Sequence, residues 1–180
     1  EDNNQCQFIA VVYLPEPPEL IVDTTHTDIT CSGFNDGTAE VINIIGGTPF
    51  SSGAPYTFLW TPGSQSSQSI SSLAAGLYSC AVTDQNGCIV TTPVVTVIEP
   101  PALTTVITGT DPGCFGGSGG TATVVSGGGT PFFANTYNYL WSDNQTTQTA
   151  TGLIAGSYTC TVTDANGCSI TTSSLSLNNP

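Results

Sequence analysis

The sequence predicts an all-β protein, built as tandem β-sandwich repeats of about 80 residues, and three observations predict it. One is a hairpin signature that occurs twice: Gly76-Leu77-Tyr78-Ser79-Cys80-Ala81-Val82-Thr83-Asp84-Gln85-Asn86-Gly87-Cys88 returns as Gly156 to Cys168 with few changes. Within it Tyr78, Cys80 and Val82 alternate with small polar residues, the period of a half-buried strand. Asp84 to Gly87 then supplies a turn, because Asn and Gly tolerate positive φ. Another is repetition along the whole chain. Cys31 recurs 83 residues on at Cys114, Gly46–Phe50 82 on at Gly128–Phe132, and Trp60 81 on at Trp141, whereas Leu73, Tyr78, Cys80 and Cys88 recur 80 on. An offset that shrinks stepwise places the length differences in loops between constant strands. Last, short apolar-alternating runs are punctuated by Gly, Pro and Asn, and no helical period competes with them.

Residues 1–18 read as the final strand of a preceding repeat plus a Pro-rich linker. Asp2 to Cys6 aligns with Asp84 to Cys88, and Pro17-Pro18-Glu19-Leu20 with Pro100-Pro101-Ala102-Leu103. Complete repeats are expected at 19–100 and 101–180. A longer array explains the partial copy more simply than a strand donated between subunits. In the first repeat the alternation predicts strands at Leu20–Thr30, Thr38–Ile45, Tyr56–Thr61, Gln68–Ser72, Leu77–Thr83 and Ile89–Ile98. Trp60 and Tyr78, with Val41, Phe58, Leu73 and Val82, are the expected core. Trp141 and Tyr158, with Val124, Tyr139, Leu153 and Val162, repeat it. A Tyr two residues before a Cys on the penultimate strand, with a Trp upstream, matches the tyrosine corner of immunoglobulin-like sandwiches. Pro15 to Pro18 and Glu99 to Pro101 end the final strands and stiffen the joints.

Composition narrows function. The 180 residues include no Lys or Arg, 13 Asp or Glu and one His, a formal charge of −13. With no cation to neutralise phosphate, nucleic acid is excluded as a partner, and an anionic membrane surface is disfavoured. No apolar run reaches the length of a membrane-spanning helix, so membrane insertion is not expected. Charged residues are only 7%, so the surface must be Thr, Ser, Asn, Gln and Gly. Seven Cys without a CxxC pair argue against zinc and for disulfides in an oxidising, secreted setting. Catalysis has little to work with. His26 is the single imidazole, no Ser sits in a nucleophile elbow, and the glycine runs 116–120 and 127–129 lack the Lys of a phosphate loop. The reading is of a protein that is not an enzyme.

Five motifs in fixed order then carry a family resemblance: Cys31-x-Gly-x-x-Asp-Gly-Thr-Ala39, Gly-Gly-Thr-Pro-Phe, Tyr-x-x-Leu-Trp, Leu-x-Ala-Gly-x-Tyr and Thr-Asp-x-Asn-Gly-Cys. Together they resemble the SprB repeat of cell-surface adhesins in gliding and related Bacteroidota. The resemblance implies an extracellular Ig- or PKD-like repeat. The second repeat departs from it with Gly116-Gly117-Ser118-Gly119 in place of Phe34-Asn35-Asp36-Gly37, and Cys80 and Cys160 stand where the family usually has an aliphatic residue.

Three disulfide arrangements remain open. The topology favours Cys31–Cys80 with Cys114–Cys160, leaving Cys88 and Cys168 free or bonded to a neighbour. The family's usual pair implies Cys31–Cys88 with Cys114–Cys168. A third option joins repeats through Cys31 and Cys168. Cys6, on the partial copy, is expected to pair outside the chain. Glu16, Glu19, Asp23, Asp28 and Asp36 around the first joint offer oxygen ligands for Ca²⁺, yet the second joint offers only Glu99 and Asp111. A ligand set that does not recur reads as solvated charge, so no cofactor is expected. For glycans, Asn144-Gln145-Thr146 is a sequon, and Asp23-Thr24-Thr25 resembles the O-glycan site of Bacteroidota. The functional expectation is structural display: a stalk or filament segment on the cell surface, partnered by neighbouring repeats or copies of itself. The rival is a glycan-binding adhesive module with Phe50, Phe132, Phe133 and Tyr137 as its aromatic face.

Overall fold

Threonine, serine and valine in alternation fit a pleated surface that is wet on one side and dry on the other, and they set this fold. The computed structural model describes residues 11–13 and 15–180. In chain order the strands are β1 (Ile21–Thr27), β2 (Gly37–Ile45), β3 (Thr57–Thr61), β4 (Ser69–Leu73), β5 (Gly76–Thr83), β6 (Ile89–Thr91), β7 (Val95–Val97), β8 (Thr104–Thr110), β9 (Gly120–Gly127), β10 (Asn138–Trp141), β11 (Thr149–Leu153), β12 (Gly156–Tyr158), β13 (Cys160–Thr163), β14 (Ser169–Thr171) and β15 (Leu175–Leu177). A 3-10 turn, Phe133–Asn135, lies between β9 and β10. Among the described residues no helix is long and apolar enough to cross a membrane. Cys6 lies outside the described residues, and of the strand expected after it only Val11–Tyr13 and the residues from Pro15 are described, none of them in a strand before Ile21.

Two compact units make up the chain. One comprises Glu1–Thr25, Glu40–Gln68 and Ser79–Val94, the other His26–Ala39, Ser69–Tyr78 and Val95–Pro180. In the first unit β3 pairs with β5, setting Phe58 opposite Val82 and Trp60 opposite Cys80. Trp60 is 1% exposed and gives its indole N–H to Ser67 O at 2.9 Å, so the ring is buried without stranding its donor. In the second unit the sheet β11-β9-β8 packs over β10-β13-β14, with β12 and β15 paired beside them. Ala122, Val124, Trp141, Leu153, Cys160, Val162 and Leu177 fill the space between. The burial of β9 alternates as its sequence does, with Gly120, Ala122 and Val124 inside. Gly120 is needed there, because a Cβ would lie 2.8 Å from Leu153 O.

Two expectations are corrected. The first strand ends at Thr27, short of Thr30, because the Asp28 carboxylate turns to accept Ile98 N–H at 2.9 Å. The final strand of the first repeat, expected as Ile89–Ile98, is broken into β6 and β7. Thr92 Oγ1 accepts the Cys80 N–H at 2.9 Å, so a side chain takes the place of a ladder carbonyl. Pro93 alone does not cause the break. The same break occurs 80 residues on, between β14 and β15, where Ser173 stands in place of Pro93 and Thr172 Oγ1 accepts Cys160 N–H at 3.0 Å.

Candidate functional site

The Asp-x-Asn-Gly-Cys turns are built around a buried carboxylate. Asp164, 1% exposed, accepts the N–H groups of Asn166 (3.0 Å) and Cys168 (2.9 Å) on Oδ1, and that of Thr130 (2.8 Å) on Oδ2. Asp84 does the same with Asn86 (2.9 Å), Cys88 (2.8 Å) and Thr48 (2.8 Å). These donors, Thr48 first, hold the Asp84 carboxyl below the usual carboxylate range. The Gly-Gly-Thr segment can approach this closely only without side chains: a Cβ on Gly129 would sit 2.6 Å from Asp164 Oδ2. Each turn is thereby fixed at both ends, and its Asn and Cys are presented in a set direction.

What Cys168 meets is Cys31. The two form a disulfide with Cα atoms 5.7 Å apart, across a sequence separation of 137. Asn166 Nδ2 adds hydrogen bonds to Thr30 O at 3.0 Å and Thr130 Oγ1 at 3.2 Å. A cavity of about 490 Å³ beside the bond is lined by Thr30, Phe34, Leu103 and Ile170 among others. The Cys31 turn is itself held. Phe34 N–H donates to Cys31 O at 3.0 Å, and Glu99 accepts Ser32 Oγ–H (2.8 Å) and Gly33 N–H. Asp36 accepts both the hydroxyl and the N–H of Thr30. The Gly33 bond first, then Ser32, lowers the Glu99 carboxyl; the Thr30 hydroxyl first, then its N–H, lowers Asp36.

The bond formed is therefore Cys31–Cys168, the third of the expected arrangements, and the other two are corrected. Neither Cys31–Cys80 with Cys114–Cys160 nor Cys31–Cys88 with Cys114–Cys168 is present. Cys80 and Cys160 are free and buried, whereas Cys88 and Cys114 are free and exposed. The buried pair line the interior opposite Trp60 and Trp141, while Cys31 lies on a turn beyond its strand, where the Cys168 turn reaches it. Burial pushes the Cys80 and Cys160 thiols up, which keeps them protonated and unreactive.

The tyrosine corners take the expected form: Tyr78 Oη donates to Ala74 O at 3.0 Å and Tyr158 Oη to Ile154 O at 3.1 Å. Tyr78 and Trp141 are buried and Tyr158 is half-buried. Thr24 is half-exposed on β1, and Asn144 is exposed in a turn at φ +69°. His26 Nε2 stands 3.8 Å from Asp28 Oδ1. Among the described residues no three His, Cys, Asp or Glu are grouped to hold a metal ion. Of the four aromatics set aside for glycan, Tyr137 is buried, its hydroxyl donating to Gly128 O at 2.9 Å. Phe50 is half-buried, and Phe132 and Phe133 are exposed. Sequence reasoning read Asp84 and Asp164 as turn residues alone. The signal for more was their fixed spacing from Cys88 and Cys168 together with the recurring Gly-Gly-Thr.

Residues 24–65 match the SprB repeat. The SprB match runs from β1 through β3 and includes Cys31 and Asp36. Among solved structures the chain is similar to the three N-terminal domains of the highly immunogenic outer capsid protein Hoc of bacteriophage RB49, with a TM-score of 0.48 and 18% identity over 88% of this chain and 59% of that one. It is also similar to murine CEACAM1b, with a TM-score of 0.34 and 14% identity over 90% of this chain and 100% of that one. The N-terminal four Ig domains of Dscam1 isoform 9.44 match with a TM-score of 0.34 and 14% identity over 94% of this chain and 48% of theirs. No curated protein matches the sequence.

Proposed function

We propose that this chain is a non-catalytic, extracellular repeat segment serving as stalk or building block of a cell-surface adhesin or filament. Its units of function are the repeats 19–100 and 101–180. The observation that carries the reading is the Cys31–Cys168 disulfide, backed by the Asn166 to Thr30 hydrogen bond. A covalent tie from one repeat to the next is what an extended surface structure needs, and it persists where the compartment is oxidising. The SprB match at 24–65 supports the same reading, and the charge of −13 without any Lys or Arg leaves nucleic acid outside it.

The test is sedimentation velocity of the thiol-blocked chain over a concentration series, with electron microscopy of the same samples. Self-association that grows with concentration is the expected result. A strict monomer that instead binds one glycan saturably on an array would overturn it in favour of an adhesive binding module. One observation favours that second reading: Phe133 stands 97% exposed in the loop before β10, where an aromatic face could stack on a sugar.

A further inference from the structure

Cys88 and Cys114 are free and exposed, and each belongs to a turn whose counterpart is already bonded within this chain. Cys88 occupies the position of Cys168, and Cys114 that of Cys31. We propose that they are the two halves of an intermolecular disulfide, Cys114 of one copy with Cys88 of the next, so that copies join head to tail through the same contact that Cys31 and Cys168 make internally. The proposal deepens the building-block reading and rests on it.

Both halves are prepared as the internal pair is. On the Cys114 side, Gly117 N–H donates to Cys114 O at 2.9 Å as Phe34 does to Cys31. Asn179 Oδ1 accepts Gly116 N–H at 3.1 Å where Glu99 accepts Gly33 N–H. Asp111 accepts Asn178 N–H at 2.8 Å where Asp28 accepts Ile98 N–H. On the Cys88 side, Asp84 fixes the turn through the three contacts that Asp164 makes. One difference separates the two turns. Asn166 Nδ2 bonds both Thr130 Oγ1 and Thr30 O, whereas Asn86 Nδ2 bonds Thr48 Oγ1 alone among the described residues. The missing acceptor is a backbone carbonyl, which Gly113 carries at the position of Thr30.

The surfaces agree as well. Beside Cys88 lies a cavity of about 360 Å³ lined by Pro18, Leu20, Asp84 and Val90 among others, the counterpart of the cavity beside the internal disulfide. Phe115, at the position of Ser32 in that internal contact, is 83% exposed, an aromatic with nothing to cover it in the single chain. It would enter the apolar groove at Leu20 and Val90, replacing the Phe34 contact that Gly117 has lost. Such a contact is heterologous, so each copy keeps one unused half and can add another copy, as an open chain or as a ring where the rotation closes.

Formation of the bond is an oxidation. A disulfide oxidant, such as oxidised glutathione, is attacked by one thiolate to give a mixed disulfide and release one small thiol. The second thiolate displaces the other small thiol, so two protein thiols lose two electrons and two protons in all while the oxidant's S–S bond is reduced.

The experiment uses the full chain with Cys6→Ser, incubated in oxidised glutathione and resolved on a non-reducing gel. A ladder is expected, with a Cys88–Cys114 peptide in non-tryptic mass mapping. Adding Cys88→Ser or Cys114→Ser should abolish the ladder and leave each variant monomeric. An equimolar mixture of the two variants should give one dimer and no higher species. Dimers in either variant alone would show indiscriminate thiol oxidation and overturn the proposal, as would a mixture that stays monomeric. Should the thiol-blocked chain still associate by sedimentation while the mixture gives no dimer, the building-block reading survives and this inference alone fails.

Discussion

At Asp84 the carboxylate is shielded from water and holds three backbone N–H groups, so its charged form is what the folded state binds best. A carboxyl lowered on folding stabilises the protein above its unfolded pKa, about 4, and that contribution disappears as pH falls through the folded value below it. The melting temperature should therefore hold steady above about pH 4 and fall in more acidic buffer. In Asp84→Asn an amide NH₂ would oppose one of those N–H donors. The variant should lose about 1–3 kcal/mol at neutral pH and show a flatter acid profile, measurable by calorimetry. An acid profile unchanged by the substitution would assign the loss to other carboxyls. The cysteines divide by the same logic of access. A chromogenic disulfide reagent should modify Cys88 and Cys114 in the native chain, and reach Cys80 and Cys160 only when denaturant opens the core.

Between residue and sheet, one hydroxyl decides where a strand breaks. Thr172 Oγ1 satisfies the buried N–H of Cys160, and Thr92 does so for Cys80. Thr172→Val keeps the shape and removes the acceptor, so it should cost about 1–3 kcal/mol in a denaturant titration, whereas Thr172→Ser should restore most of it. Equal stability of both variants would mean that water replaces the hydroxyl. This break also marks where the sequence stops being legible. Tyr78, Cys80 and Val82 announce a strand because period-2 alternation reports a face directly, and Asn86-Gly87 announces the turn because few residues accept its backbone. Thr92 carries no such mark. A threonine reads the same whether its hydroxyl faces solvent or a neighbouring N–H. Asp84 looks like any turn aspartate until the Gly-Gly-Thr segment folds over it. The disulfide pairing was open for a related reason, since it depends on which turn lies against which, and no local pattern encodes that.

For the molecule as a whole the governing quantity is charge, −13 with no cation in the chain. Thirteen carboxylates and no Lys or Arg mean that copies meet as like-charged bodies, whose repulsion slows encounter until salt screens it. The proposed head-to-tail contact is short-ranged, made of a disulfide, an amide-to-carbonyl hydrogen bond and an aromatic in an apolar groove. None of these weakens in moderate salt. The balance gives association a sign opposite to that of an ion-paired interface. Raising ionic strength from about 0.01 M to about 0.15 M shortens the screening length from about 30 Å to about 8 Å, so cross-linking of the Cys88→Ser and Cys114→Ser mixture should accelerate over that range. The rate of mixed-disulfide formation with the same oxidant, itself an anion, serves as the control, because faster modification of Cys88 in salt would account for the change without any effect on encounter. A dimerisation rate that instead falls with salt would mean that opposite charges meet across the contact. The charged groups near it, Glu19 and Asp84 beside Cys88 and Asp111 on the Cys114 side, are all acidic, so that outcome would require a different docking surface.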